Sequence, residues 1–307
     1  MTGTVLAVGG EGDDAAASFE PHRRRLVGLA YRMLGSVSDA EDIVQDAYLR
    51  WHATDRCRVA NAGAFLSKTV ARLCLDYLKS ARHRREAYVG PWLPEPFLDD
   101  GIGQNGQDGG LADDLSVTLL LALERLSPLE RAAFLLHDVF DLDFAEVAGA
   151  IGRTEAACRQ LAARARRHVQ DARPRFSVPR DEGARIAEAF LAASRGGDVG
   201  ALQRLLAEDA IAYTDGGGIR PAALNPIFGR AKIARLYTGI ARKTARRIPA
   251  VVYRGPINGM VGFITLEADG RLQTTALDIQ SGVITAIYIV RNPEKLAHLE
   301  RRFAGRG

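Results

Sequence analysis

The stretch PWLPEPFLDDGIGQNGQDGGLADD, Pro91 to Asp114, constrains the fold more than any other. Thirteen of its 24 residues are Pro, Gly or Asp, and its apolar residues follow neither a helical nor an alternating period. Such a segment reads as a loop or a partly disordered connector, so a chain of 307 residues divides around it. On its N-terminal side, Phe19 to about Tyr88 is helical in pattern and almost free of Gly and Pro. Leu26, Leu29, Ala30, Met33 and Leu34 recur at helical spacing before Gly35-Ser36 breaks the run. Helical periodicity resumes from Leu115 to about Arg173, and Pro174 and Pro179 punctuate a second linker.

After Asp181 the pattern changes. Two short helices, Gly183–Ser194 and Val199–Leu206, precede the strand-like runs AIAYTD, AVVYRG, MVGFITLEA, RLQTTALDI and VITAIYIV. Gly-containing turns such as EADGR and QSGV separate several of them, and a helical piece at Gly229–Lys243 interrupts the series. The expected architecture is multidomain: two all-α domains followed by an α+β domain with a curved antiparallel sheet. The expected boundaries are 19–89, a linker at 90–114, 115–175 and 181–307.

Several function classes drop out. No apolar run reaches the ~20 residues needed to span a bilayer, and MTGTVLAVGGEGDD lacks the basic start of a signal peptide. Cys57, Cys74 and Cys158 lie far apart with no histidine at ligand spacing. This favours a reducing cytoplasm and predicts no disulfide framework, metal or cofactor. The formal net charge of +4 is unevenly distributed. Counting Lys and Arg against Asp and Glu gives +5 for 19–89, −6 for 90–114, +1 for 115–175 and +7 for 176–307. Basic blocks around an acidic connector suit a polyanion-binding protein with a segment that its own basic surfaces attract.

Three helical motifs carry the chemistry. In DAEDIVQDAYLRW, Asp39 to Trp51, Asp39, Asp42 and Asp46 share one helix face while Ile43, Ala47 and Trp51 share another. The acidic face repels DNA, so it meets water or a basic protein surface; a merely solvated face is the commoner fate of such a pattern. In the second, DFAEVAGAIG ends at Gly152, and Thr154 is placed to cap a basic helix starting at Glu155. This reads as a helix-turn-helix, against the plainer alternative of a helical hairpin with solvated arginines. Arg153, Thr154, Glu155, Arg159, Gln160, Arg164, Arg166 and Arg167 fall where such a motif meets base edges and phosphates. In the third, Gly63 to Glu86, Leu66, Val70, Leu73 and Tyr77 form an apolar stripe. Lys68, Arg72, Lys79, Arg82, Arg84 and Arg85 supply a cationic flank able to follow a nucleic-acid backbone.

Together these segments resemble bacterial RNA polymerase sigma factors of the extracytoplasmic-function (ECF) type. DAEDIVQDAYLRW is similar to sigma region 2.2, FLSKTVARLCLDYLKSARHRR to regions 2.3–2.4, and the helix-turn-helix to region 4.2. The resemblance implies an alternative sigma factor that binds core polymerase at the β′ clamp and β flap and directs initiation at minus-ten and minus-thirty-five elements. It places Asp39, Asp42, Gln45 and Asp46 on polymerase and the basic residues above on DNA. Arg72 departs from the family, many members of which have Asn there. WLPEP (Trp92, Leu93, Pro94, Glu95, Pro96), DGGG (Asp215, Gly216, Gly217, Gly218) and NPEKL (Asn292, Pro293, Glu294, Lys295, Leu296) are similar to motifs of a subfamily with a fused SnoaL-like domain of NTF2-like fold. Here Ile219 follows DGGG where Lys is frequent, and Glu294 stands in place of Asp.

SnoaL-like domains include cyclases, so the rival expectation is a cyclase- or hydrolase-type enzyme with an attached DNA-binding module. Asp215 and Asp278 are its candidate carboxylates, with Tyr213, Tyr237 and His298 as neighbours, but no nucleophile motif, metal spacing or phosphate loop accompanies them. The chain is therefore expected to be no enzyme. Its C-terminal pocket either takes a small ligand or supports domain contacts only. The C-terminal domain is expected to pack against region 2 and the connector through these short motifs in a compact, less active state. The tail around Asn292 to Leu296 is expected to set the balance, so that truncation just before Asn292 alters docking without destroying the pocket.

Overall fold

The computed structural model describes residues 11–86, 88–98, 116–170, 178–244 and 248–303. The chain forms two compact units, residues 1–81 with 123–168 and residues 82–122 with 169–307.

The first unit is helical: α1 (Glu11–Leu34), α2 (Val37–His52), α3 (Ala62–Glu86), α5 (Pro128–Phe134), α6 (Phe144–Ile151) and α7 (Glu155–Gln170). α1 packs along α2, and the predicted stripe Leu26, Leu29, Ala30, Met33 and Leu34 is buried with Ile43, Ala47 and Trp51. The Trp51 indole donates to the Ser18 hydroxyl at 3.1 Å, so the one polar atom of that ring keeps a partner inside the core. Ser36 caps α2 by accepting from the Asp39 amide at 3.1 Å. α5 opens on a Ser127–Glu130 capping box and runs into a π-helical turn, Leu135–Val139.

α4 (Val117–Glu124) links the two units, its residues up to Ala122 belonging to the second. There α8 (Arg180–Gly196), α9 (Val199–Leu205) and α10 (Arg230–Thr244) pack on one face of a six-stranded sheet. The strands are β1 (Leu206–Asp215), β2 (Ile227–Phe228), β3 (Ala250–Ile257), β4 (Met260–Leu266), β5 (Leu272–Gln280) and β6 (Val283–Val290), ordered β2-β1-β6-β5-β4-β3. Most neighbours are antiparallel, but β1 and β6 run parallel. The sheet is therefore mixed, not antiparallel as its hairpin punctuation suggested. β1 comes first in the strand series and β6 last, and a pairing so remote in sequence leaves no turn to betray its direction. Register shifts in β1, β3 and β5 bend the sheet.

Strand alternation serves two cores. Leu277, Ile279, Ile287 and Ile289 face the helices, whereas Ala276, Ala286, Tyr288 and Val290 face the other side. That second face is closed by α11 (Pro293–Phe303), whose Leu296, Leu299 and Phe303 are buried, together with Leu93, Leu98 and Val117. The terminal segment is thus part of this core.

Candidate functional site

α2 presents Glu41, Asp42, Gln45 and Asp46 to solvent, with Leu49 58% exposed at the end of the same face. Asp42 and Asp46 form no ion pair among the described residues, and Asp39 is half-buried. The apolar side of the helix fills the core, so the fold spends nothing of this acidic face internally. It is an open, rigid, anionic surface with one apolar knob.

The helix-turn-helix forms as its local chemistry dictates. Asp143 and Glu146 close a capping box on α6, and Gly152 ends it at φ 67°, a conformation that disfavours a side chain. Thr154 accepts from the Ala157 amide at 3.3 Å, starting α7. Cys158, Ala162, Ala165 and Val169 bury one face of α7 and leave Arg153, Glu155, Arg159, Gln160, Arg164 and Arg167 outward. Arg159 pairs with Glu155 at 2.8 Å and lies 5.4 Å from the Phe144 ring centroid. Arg164 reaches Glu130 at 2.8 Å, and that hydrogen bond holds the Glu130 carboxyl below the ordinary carboxylate range. Arg166 is bound to Asp138 at 2.5 Å.

The basic flank of α3 is already engaged within the first unit. Lys68 pairs with Glu146 of α6 at 3.0 Å. The Arg72 guanidinium donates to the Ala150 carbonyl at 3.1 Å and to that of Gly149. Those are terminal carbonyls of α6, where the helix dipole is negative and acceptors lack internal partners. Among the described residues Lys79 pairs with its neighbour Asp76, at 2.8 Å. The side chains of Arg82, Arg84 and Arg85 lie outside the described residues. A second link within the unit does not involve α3: buried Arg131 of α5 donates to Glu124 at 2.9 Å and to the Met33 carbonyl of α1. Arg25 likewise donates to the Phe140 carbonyl at 3.1 Å.

In the second unit the three short motifs converge on one buried carboxylate. Asp215, at the end of β1, is 0% exposed. It accepts from the Tyr88 hydroxyl at 2.5 Å, the Gly217 amide at 3.1 Å and the Leu93 amide at 2.9 Å, and pairs with Lys295 at 2.7 Å. Lys295 also donates to the Leu93 carbonyl, and its ammonium lies 4.7 Å and 4.2 Å from the Tyr88 and Trp92 ring centroids. Asn292 donates to the Tyr88 hydroxyl at 2.9 Å. Burial, and then the Asp215 carboxylate, push the Tyr88 phenol well above its ordinary pKa. The glycines are required sterically. A Cβ on Gly216 would stand 2.1 Å from the Arg220 carbonyl oxygen, and one on Gly217 would stand 2.3 Å from the Asn292 amide nitrogen.

Beyond Leu93 the linker continues over the sheet. His298 meets the Pro96 carbonyl at 2.8 Å, the Asn258 amide donates to the Phe97 carbonyl at 2.7 Å, and Leu98 bridges Ile257. This arrangement disperses the candidate enzyme groups. Asp278 accepts from the Thr118 hydroxyl at 2.9 Å, which also lies 3.1 Å from the Tyr288 hydroxyl. Tyr213 stacks on Tyr288, while Tyr237 packs on Phe190 across the sheet. Leu93, Pro94, Pro96 and Val117 fill the cavity on this face and leave about 10 Å³. No group of three His, Cys, Asp or Glu able to hold a metal occurs among the described residues, and no described helix is long and apolar enough to cross a membrane.

Comparison with known proteins agrees with this anatomy. The Sigma-70 region 2 family matches residues 19–84, and the Sigma-70, region 4 family matches residues 116–169. The chain is 36% identical to the ECF RNA polymerase sigma factor SigJ of Mycobacterium tuberculosis (strain ATCC 25618 / H37Rv) over 290 residues, 91% of this chain and 92% of that protein. It is 30% identical to the probable ECF RNA polymerase sigma factor SigI of the same strain, covering 95% and 98% of the two chains. The crystal structure of Mycobacterium tuberculosis SigJ superposes with a TM-score of 0.70 at 34% identity, covering 92% of this chain and 98% of that one. With regions 2 and 4 in helical form and a mixed-sheet α+β domain behind them, the chain belongs to the ECF RNA polymerase sigma factor family.

Proposed function

We propose that this sigma factor binds core polymerase through the acidic α2 face, opens promoters through α3 and α7, and is held in a resting form by its NTF2-like domain. The clasp of Asp215 and Lys295 around the linker carries the regulatory part of this reading. Asp42, Gln45 and Asp46, with Asp39 beside them, meet basic residues of the β′ clamp, and region 4 meets the β flap. Arg153, Thr154, Glu155, Arg159, Gln160, Arg164 and Arg167 address the minus-thirty-five element. Lys68, Arg72, Lys79, Arg82, Arg84 and Arg85 address the minus-ten region. On polymerase, regions 2 and 4 must separate. In the first unit they are joined through Lys68–Glu146, Arg72 with the end of α6, and Arg131 with Met33, which supports a resting state. The work is cytoplasmic, where core polymerase and promoter DNA are found.

The fused domain acts as a binding device and not as an enzyme. Its two candidate carboxylates are occupied by the chain's own linker and by Thr118. A small ligand can enter the filled cavity only as Leu93 and its neighbours leave, and it shifts the equilibrium only by its differential affinity for the two states. Run-off transcription with core polymerase tests the proposal. Full-length protein, a Lys295→Met variant and a fragment ending at Pro179 are compared on one cognate promoter. Lys295→Met should exceed the full-length protein, and the fragment should differ from both. Equal activity of all three refutes regulation by the fused domain, and no transcription by any of them refutes the initiation role.

A further inference from the structure

The NTF2-like domain carries a surface that the sigma reading leaves unused. α10 has five cations, Arg230, Lys232, Arg235, Arg242 and Lys243, and no acid. All five are exposed, and none forms an ion pair among the described residues. Ile233 and Ala234 anchor the helix on the sheet, and Tyr237 packs on Phe190 at 5.1 Å. The opposite side is consequently fixed outward. At 100° per residue, Lys232, Arg235, Arg242 and Lys243 fall within one stripe about 100° wide, with Gly239 near its middle. The stripe is about 16 Å long, enough to lie beside four or five phosphates of one DNA strand.

Gly239 is the second observation. A glycine inside a helix costs ~1 kcal/mol relative to alanine. Packing does not require it, because a Cβ at Gly239 would meet no atom within 4 Å. A bare backbone in the middle of a cationic stripe permits close approach of a partner's backbone.

We infer that the outer face of α10 is a sequence-independent contact for promoter DNA phosphates. The domain is tethered to the DNA-reading helix of region 4. Nine residues, 171–179, join the end of α7 to the start of α8, a tether that cannot exceed about 35 Å. Residues of that tether include Arg173 and Arg175, which continue the basic character between the two elements. The contact rests on region 4 docking on DNA, since that docking delivers the tether.

The test measures affinity of the full-length protein, in complex with core polymerase, for a fluorescent promoter duplex between about 50 and 300 mM salt. Replacing Lys232, Arg235 and Arg242 by Gln should lower the slope of log affinity against log salt by about 2.7, from ~0.9 per lost phosphate contact. The loss should be equal on cognate and scrambled promoters. Gly239→Glu provides a variant that cannot fail by unfolding: glutamate favours the helix and enters open space, so thermal stability should rise while DNA affinity falls. Arg235→Lys with Arg242→Lys should keep the slope. Arg159→Ala reports separately on region 4, so failure of that docking is distinguishable from failure of the α10 contact. An unchanged slope in the triple variant overturns the inference. So does weakened assembly with core polymerase at unchanged DNA slope, which would assign the face to an acidic protein surface.

Discussion

Removing the Asp215 carboxylate is the sharpest perturbation of the linker clasp. Asp215→Ala deletes the acceptor for the Tyr88 hydroxyl, the Gly217 and Leu93 amides and the Lys295 ammonium. Lys295 is left with a side chain only 9% exposed, the Leu93 carbonyl and two aromatic rings. Breaking a buried ion pair from one side typically costs ~3–5 kcal/mol, because the remaining charge stays desolvated. The linker can relieve that cost by leaving, which lets both Lys295 and the Leu93 amide reach water. Since 1.4 kcal/mol is a factor of ten, the open population should rise about a hundred- to a few-thousand-fold. Native-state hydrogen exchange at Leu93, Phe97 and Asn258 would read this directly, alongside run-off transcription. Asp215→Leu combined with Lys295→Met removes both charges and should recover much of the protection, so the double-mutant cycle should show ~2–4 kcal/mol of coupling. Strict additivity, or unchanged exchange in Asp215→Ala, would show that the carboxylate does not hold the linker.

Three further outcomes follow from the contacts. Arg72→Ala removes the cap on the α6 carbonyls and should increase promoter binding by the free protein several-fold in an anisotropy titration; a decrease would make Arg72 chiefly a DNA-reading residue. Reversing Asp42 and Asp46 to Lys should abolish capture of core polymerase while moving stability by no more than ~0.5 kcal/mol, as expected for exposed sites; normal capture would remove α2 from the polymerase interface. The Glu130–Arg164 pair should stabilise by about 0.5 kcal/mol, modest because Arg164 is half-exposed. Because the folded carboxyl titrates below its unfolded value near ~4.3, this contribution is complete above that pH and disappears as pH falls through the folded pKa. The melting-temperature difference between wild type and Glu130→Gln should therefore be present at pH 7 and shrink progressively as the pH is lowered below ~4.3.

Local chemistry made the helical half legible. Periodicity placed Leu26 through Leu34 in the core, Gly152 ended α6, and Thr154 started α7 where its hydroxyl suggested. The outward acids of α2 were equally readable, since i, i+3 and i+7 positions share a face in any helix. The three short motifs could be quoted from the sequence, but the reason they travel together is spatial: Leu93 and Asp215 are 122 residues apart, Asp215 and Lys295 are 80.

Tertiary structure alone decided the rest, because each remaining feature is a pairing between distant residues that no local pattern encodes. β1 and β6 stand at opposite ends of the strand series in sequence, yet they lie side by side and parallel in the sheet. Arg131 looks like one more surface cation until Met33 and Glu124 enclose it. Lys68 and Arg72 sit on a flank that reads as a nucleic-acid face, and only packing against α6 gives their charges a protein partner. A sequence can show that a domain has a pocket-forming fold; that the pocket is filled by Leu93, Pro94, Pro96 and Val117 of the same chain depends on which segment reaches it first and buries the most apolar surface there.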